Sequence, residues 1–316
     1  MIGGFINRAL NKIKRTHNQR HAYDFPEQSG GWLKHPSNPI LGDKSTGSMF
    51  DPYVREYDGE FLMCVSERKN HSLVVYRSEN GVDFKDCREI LSGVKDSDWE
   101  QRVNRGCLLK VGGKWLLWYT GQCGNQSKIG FAKSADGISF SRHPKPVLVP
   151  ELPFEKGAVM NPCVVWDEDR QVFRMWYAAG ENYEPDVIGY AESTNGVEWT
   201  KNEVPVFTPD KNFKYRSSKV GACDVVKLPN GKYCMAYIAY QNVNVARICL
   251  AYSENGENNW IDDENNPILS PAKNQWDAHS VYKPTLCVDE RRKKLLLWYN
   301  GRVDHNERIG LAELDI

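Results

Sequence analysis

The chain has 316 residues, 41% hydrophobic and 26% charged, with 41 basic and 41 acidic side chains. That composition excludes a disordered chain, and a net charge of zero gives no global reason to bind nucleic acid. Nine Cys occur with no C-x-x-C pair and no zinc-like His/Cys spacing, and no apolar run is long enough to span a bilayer.

The first twenty residues, "MIGGFINRALNKIKRTHNQR", place Ile2, Phe5, Ile6, Ala9, Leu10 and Ile13 on one helical face. Arg8, Lys12, Lys14, Arg15 and Arg20 add positive charge, and no acid precedes Asp24. Charges interrupt the apolar segment and no cleavage site follows, so this is not a signal peptide. Residues 1–22 read as a basic tail or docked helix, or as an amphipathic helix on an anionic membrane surface. Residues 23–316 read as one domain. Cys107, Cys163, Cys223, Cys234, Cys249 and Cys287 sit in apolar runs, the pattern of reduced core thiols in a cytoplasmic protein.

From residue 31 onward the sequence repeats. Ser-x-Asn/Asp-Gly closes at Gly81, Gly137, Gly196 and Gly256, which are 56, 59 and 60 residues apart. These dipeptides favour tight hairpin turns with both central residues at positive φ. Each follows an apolar strand ("LVVYRS", "IGFAKS", "IGYAES", "ICLAYS"), and "IGLAEL" ends the chain as a fifth. Upstream lie "FLMCVS", "WLLWYT", "FRMWYA", "YCMAYI" and "LLLWYN", each preceded by one further strand. The unit is thus four strands of about sixty residues, present five times. The last copy lacks its outer strand, and Gly31–Leu41 matches the missing piece. The expected fold is all-β: a five-bladed β-propeller of four-stranded blades, closed by the N-terminal strand pairing with the C-terminal blade. A two-sheet sandwich is the alternative, and the five-fold register disfavours it.

In a propeller the innermost strands line a channel, and the residues opening them form one mouth. Those residues are Asp51, Arg105, Asn161, Asp224 and Lys283. Four are ionisable. Converging charges carry a desolvation penalty that a purely structural channel has no need of.

The five units, the Asp51-Pro52 opening and the "IGYAESTNGVEW" type of repeat resemble the five-bladed propeller glycoside hydrolases. These include families 43, 32, 68, 117 and 130 and related propeller mannosyltransferases, and the resemblance covers residues 31–316. In the family 43 and 32 pattern it implies a base or nucleophile at Asp51. The Asp of a later blade falls on Asn161, and the general-acid Glu falls on Ala222, so the hydrolase triad is incomplete. Asp224, two residues on, is a substitute. Glu100, Glu155 and Asp277 each follow an aromatic in a loop entering an inner strand. They read either as a structural device or as rim residues facing the pocket. Glycosyl transfer needs one group for the leaving oxygen and one for the attacking or accepting side. Asp51 with Asp224, or Asp51 with Glu155, supplies such a pair.

Arg102, Arg105, Arg216, Lys219, Lys283 and Arg302, with His71, His279 and Tyr282, fall in or beside mouth segments. Together they point to a sugar substrate bearing an anionic group. Trp99, Tyr183 and Trp276 are candidate stacking platforms. No phosphate loop, dinucleotide fingerprint or nucleophile elbow is present, and neither cofactor nor metal is called for. The leading expectation is a glycoside hydrolase, in one form a furanosidase. The first alternative is a cytoplasmic, membrane-associated glycosyltransferase or phosphorylase using a phosphorylated donor in polysaccharide assembly. The second is a non-catalytic sugar-binding propeller.

Overall fold

The computed structural model describes residues 20–42, 47–181 and 184–316. Of the helix or tail read over residues 1–22, residues 1–19 lie outside the described residues and Arg20–Tyr23 form a 3-10 turn. Tyr183, read as a stacking platform, also lies outside the described residues. The described residues are all-β apart from three short 3-10 turns, and no described helix is long and apolar enough to cross a membrane.

The strands group into five antiparallel units. Their first strands are Met49–Tyr57, Arg102–Val111, Ala158–Asp167, Lys219–Lys227 and Ser280–Asp289. Their second strands are Glu60–Glu67, Lys114–Cys123, Val172–Gly180, Tyr233–Asn242 and Lys294–Val303. The third are Ser72–Ser78, Gln126–Ser134, Pro185–Ser193, Val245–Ser253 and Asn306–Asp315. Fourth strands are Lys85–Ser92, Ser141–Arg142, Thr200–Lys201 and Ile261–Asp262, and the fifth unit takes Leu33–Lys34 from the N-terminal side of the chain. There Leu33 pairs with Glu313 and Lys34 with Ala312. A single parallel bridge, Ala158 to Ser127, joins units two and three. The first strands touch in the order one, two, three, four, five, and the fifth touches the first.

Short continuous apolar runs, such as residues 61–65 and 233–240, explain why the central segments are strands buried on both faces. The core lies between neighbouring units, and indoles tie the units together. Trp118 donates to the Gly196 carbonyl at 2.8 Å, Trp176 to Gly256 at 2.9 Å, and Trp298 to Gly81 at 2.9 Å. Those glycines belong to the repeated Ser-x-Asn/Asp-Gly loops, whose geometry differs from the expected hairpin turn. Only the glycine has positive φ, as at Gly81 (76°). The serine hydroxyl caps its amide, Gly81 N to Ser78 Oγ at 3.0 Å, and the Asn80 side chain accepts from Val82 and Asp83. The side chains build the loop, so the Asn need not enter the left-handed region.

Every first strand carries a β-bulge at the same place. The bulged residue has positive φ: Asp51 (59°), Arg105 (46°), Asn161 (54°), Ala222 (26°) and Lys283 (53°). Non-glycine residues rarely adopt this region, and the preceding unit holds three of them there. The amides of Asp51, Arg105 and Asn161 donate to Asn300, Ser66 and Thr120 at 2.7, 2.9 and 2.8 Å. Since all five units bulge, the distortion is architectural. It turns the bulged side chains away from the regular pleat, and three of them, Asp51, Asn161 and Lys283, meet.

Candidate functional site

The ring at the mouth corrects one expectation. Its fourth member is Ala222, and Asp224 lies one layer deeper, level with Tyr53, Cys107, Cys163 and Thr285. That carboxylate is fully buried and occupied. Arg55 grips it at 2.7 and 2.9 Å, the Leu286 amide donates at 2.7 Å, and the Thr285 hydroxyl at 2.8 Å. Burial pushes the Asp224 carboxyl up, but the Arg55 guanidinium outweighs it and holds the group below the usual range. Asp224 therefore plugs the channel and has no free oxygen for a substrate.

Arg105 is also a plug. It is fully buried and reaches across the channel to the carbonyls of Pro52 at 2.7 Å and Pro284 at 2.8 Å. It forms the floor beneath the mouth.

Three ring residues meet above that floor. Lys283 Nζ lies 3.1 Å from Asp51 Oδ1 and donates to Asn161 Oδ1 at 2.8 Å. Asp51 is 2% exposed, and the Ser66 hydroxyl donates to its other oxygen at 3.3 Å. Asn161 Nδ2 is buried with no partner.

Beside this triad is a carboxyl that sequence reasoning missed. Glu184 precedes the third strand of unit three and lines a cavity of about 30 Å³ with Tyr240, Ser280, Tyr282 and Arg302. Burial pushes its carboxyl up, and a hydrogen bond from Tyr240 with the charges of Arg302, Lys283 and Lys219 offsets only part of this. Glu184 Oε2 and Arg302 Nε are buried and unpartnered. Tyr240 and Tyr282 are pushed well up, chiefly by burial, and the Asp51 charge contributes to both. Asp51 and Glu184 thus share one electrostatic neighbourhood. Tyr282 donates to Glu307, which Arg68 also holds, and this forms one wall. The signal in the sequence was loop length: "GENYEPD" is longer than the two-residue turns at the same place in units two, four and five.

Other expected site residues have partners elsewhere. Glu100 accepts from Tyr119 at 2.6 Å and pairs with Arg142, and Asp277 pairs with Lys34 at 2.7 Å and Tyr299. Glu155 is fully buried and accepts from the Glu151 and Leu152 amides at 2.6 and 2.8 Å, from Tyr177 at 2.8 Å and from Lys201 at 2.9 Å. These three acids clasp their loops to the strands of their own units, and none has a described hydrogen bond or ion pair to Asp51, Asn161 or Lys283. His279 accepts from the Asp304 amide at 2.9 Å, outside the cavity. Arg216 pairs with Asp262. His71 and Arg102 line a separate recess of about 430 Å³ between units one and two.

The proposed platforms Trp99 and Trp276 are packing residues. A Cβ at Gly121 would lie 2.6 Å from the Trp99 ring, and one at Gly301 would lie 2.3 Å from Trp276. Another recess, about 380 Å³, lies at the opposite end of the inner strands among Leu109, Val165, Trp166 and Val226. Its lining mixes these apolar residues with Glu56, Lys110, Glu168 and Lys227, and its Arg55 is paired with Asp224. The cavity at Glu184 instead holds unpartnered buried polar atoms, so the small cavity is the better candidate despite its size. Among the described residues no cluster of three or more His, Cys, Asp or Glu could hold a metal, and the six core cysteines named above are buried free thiols.

No family model matches the chain. It is 28% identical over 191 residues to a 1,2-beta-oligomannan phosphorylase of Thermoanaerobacter sp. (strain X514), which is 60% of this chain and 58% of that protein. It is 27% identical over 246 residues to a beta-1,2-mannobiose phosphorylase of the same organism, 72% of this chain and 75% of the relative. A solved structure described as belonging to "the GH130 family of mannoside phosphorylases", said to contain "glycoside hydrolases that target beta-1,2 mannosidic linkages in Candida mannan", superposes with a TM-score of 0.71. It is 15% identical and the match covers 91% of this chain and 94% of that one, so the two share a β-propeller fold.

Proposed function

We propose that the five units are the blades of one propeller, closed by the pairing of Leu33–Lys34 with the last blade, and that its mouth is the active site of a carbohydrate-active enzyme. The reaction is cleavage of a mannoside by inorganic phosphate. Asp51 and Glu184 are its carboxyl pair, in place of Asp51 with Asp224 or Glu155.

The observation that carries this reading is the convergence of unpartnered buried polar atoms, Asn161 Nδ2, Glu184 Oε2 and Arg302 Nε, beside the Asp51–Lys283 pair. Buried polar atoms without partners are rare and call for a ligand or water. The cavity has room for about one water, so the sugar ring lies above Lys283 and Asn161 and only its glycosidic oxygen reaches Glu184. A carboxyl whose pKa is raised is suited to be a general acid. Glu184 gives its proton to the leaving oxygen as the C1–O bond breaks, and a phosphate oxygen forms the new bond to C1. Arg302 and Lys283 supply positive charge for that phosphate. Asp51 holds a sugar hydroxyl, or activates water where hydrolysis replaces phosphorolysis. The names of the relatives favour a mannoside over a furanoside and phosphorolysis over transfer from a nucleotide sugar.

The test is incubation of the protein with β-1,2-mannobiose or 1,2-β-oligomannan, with and without inorganic phosphate. Phosphate-dependent release of mannose 1-phosphate is expected, with Asp51→Asn and Glu184→Gln each reduced by at least about 100-fold and folded as wild type. Free mannose at equal rates with and without phosphate would replace phosphorolysis with hydrolysis. No turnover under either condition would return the protein to the sugar-binding alternative.

A further inference from the structure

Glu184 reaches the mouth from unit three, yet the groups that fix it belong to unit four. Lys219 and Tyr240 are cross-strand partners there. Tyr240 hydrogen-bonds the Glu184 carboxyl. Lys219 Nζ donates to the Glu184 carbonyl at 2.9 Å and to Glu181 Oε2 at 2.8 Å, and lies 2.7 Å from Asp186 Oδ1. One residue is therefore gripped at both ends by two neighbours on an adjacent blade.

The docking is also built into the backbone. A Cβ at Gly221 would lie 2.6 Å from Pro185 Cγ, so the bare backbone of unit four receives the residue after Glu184. A Cβ at Gly180 would lie 2.5 Å from Asp186 Oδ2, and Gly180 has a φ of 124° that other residues rarely adopt. Lys219 is only 12% exposed and touches three acceptors, which is more than a surface ion pair offers. Its positive charge is balanced by Glu181 and Asp186, and it makes no contact with Asp51, Asn161 or Arg302 among its described hydrogen bonds and ion pairs.

We infer that Lys219 is a positioning residue: it fixes the Glu184 loop against the neighbouring blade, so that the carboxyl meets the leaving oxygen at the right place. This rests on the reading of Glu184 as the general acid. Since geometry errors of an ångström weigh on the chemical step more than on binding, Lys219→Met is expected to lower kcat about 10- to 100-fold with KM changed less than about threefold. Lys219→Arg, which keeps the charge and donors, is expected to recover most of kcat.

Hydrogen exchange gives a readout independent of turnover. In Lys219→Met the peptide covering residues 180–187 should exchange faster, with the rest of the protein unchanged. Unchanged exchange there, or a kcat equal to wild type in the face of faster exchange, would overturn the positioning role. If the wild type cleaves no mannoside, the functional reading fails, while the exchange result still decides whether Lys219 holds the loop. If Lys219→Met does not fold, Lys219→Gln is measured in its place against the same two outcomes.

Discussion

Units three and four contain the same joint built with opposite charges. In unit three the loop entering the first strand supplies Glu155, the outer strand supplies Lys201, and Tyr177 donates to the loop acid at 2.8 Å. In unit four the loop supplies Arg216, the outer strand supplies Asp262 at 2.6 Å, and Tyr237 turns outward to donate to that acid. The cross-strand neighbour of the tyrosine changes too: Gly189 beside Tyr177, Cys249 beside Tyr237. Glu100 with Arg142 and Asp277 with Lys34 follow the unit-three order. The difference teaches that the joint needs opposite charges at two places and is indifferent to which place is acidic. A carboxylate recurring at one sequence position was therefore a sign of architecture. The candidate site differs in this respect, because no other unit repeats Glu184 or Lys283 at the equivalent place.

Reversing one charge tests this most strongly. Asp262→Lys puts a lysine against Arg216, both at nearly buried positions. Loss of a buried partner is expected to destabilise the protein by about 3–5 kcal/mol, read from urea unfolding. Adding Arg216→Glu gives unit four the order of unit three, and most of the loss should return. A double variant no more stable than the single one would mean that the two joints are not interchangeable.

The glycine beside the tyrosine comes next. A Cβ at Gly189 would lie 2.4 Å from Tyr177 Cζ. Gly189→Ala should therefore destabilise by about 1–3 kcal/mol through overpacking, whereas Cys249→Ala in unit four, where a side chain is already accommodated, should lie near the low end of that range or below it. Equal losses at the two positions would break the parallel between a rotated tyrosine and a tolerated side chain.

The same comparison shows what the sequence could reveal. The repeat was legible because apolar strand runs recur in all five units and a Gly-bearing loop in the first four, and the supply of Leu33–Lys34 to the last unit was legible from the matching tail. The register of unit four was not. In units one, three and five a proline follows the bulged residue (Pro52, Pro162, Pro284), and in unit two Gly106 does. Unit four has Cys223 there, so nothing in the sequence marks the bulge, and the nearby acid Asp224 fits the expected pattern better than Ala222 does. The indoles Trp99 and Trp276 looked like platforms because the glycines that receive them are distant in sequence. Glu184 was not legible because its burial depends on Tyr240 and Arg302, which come from two other units.

The smallest expected effect is a slope with pH. Burial pushes the Glu155 carboxyl up, but the Glu151 and Leu152 amides, Lys201 and Tyr177 outweigh it and hold the group below its ordinary value of 4.5. A carboxyl depressed in the folded state binds protons more weakly there than in the unfolded chain. Its contribution to stability is therefore complete above the unfolded value and is lost as pH falls through the folded one. Glu155→Gln removes the titration. The variant should be less stable than wild type near neutral pH, and the gap should narrow progressively as urea unfolding is repeated below pH 4.5. A gap that stays constant into acid would mean that Glu155 acts through packing alone. The likeness between units three and four would then be one of shape, with the reversed charges of Arg216 and Asp262 carrying no energetic meaning.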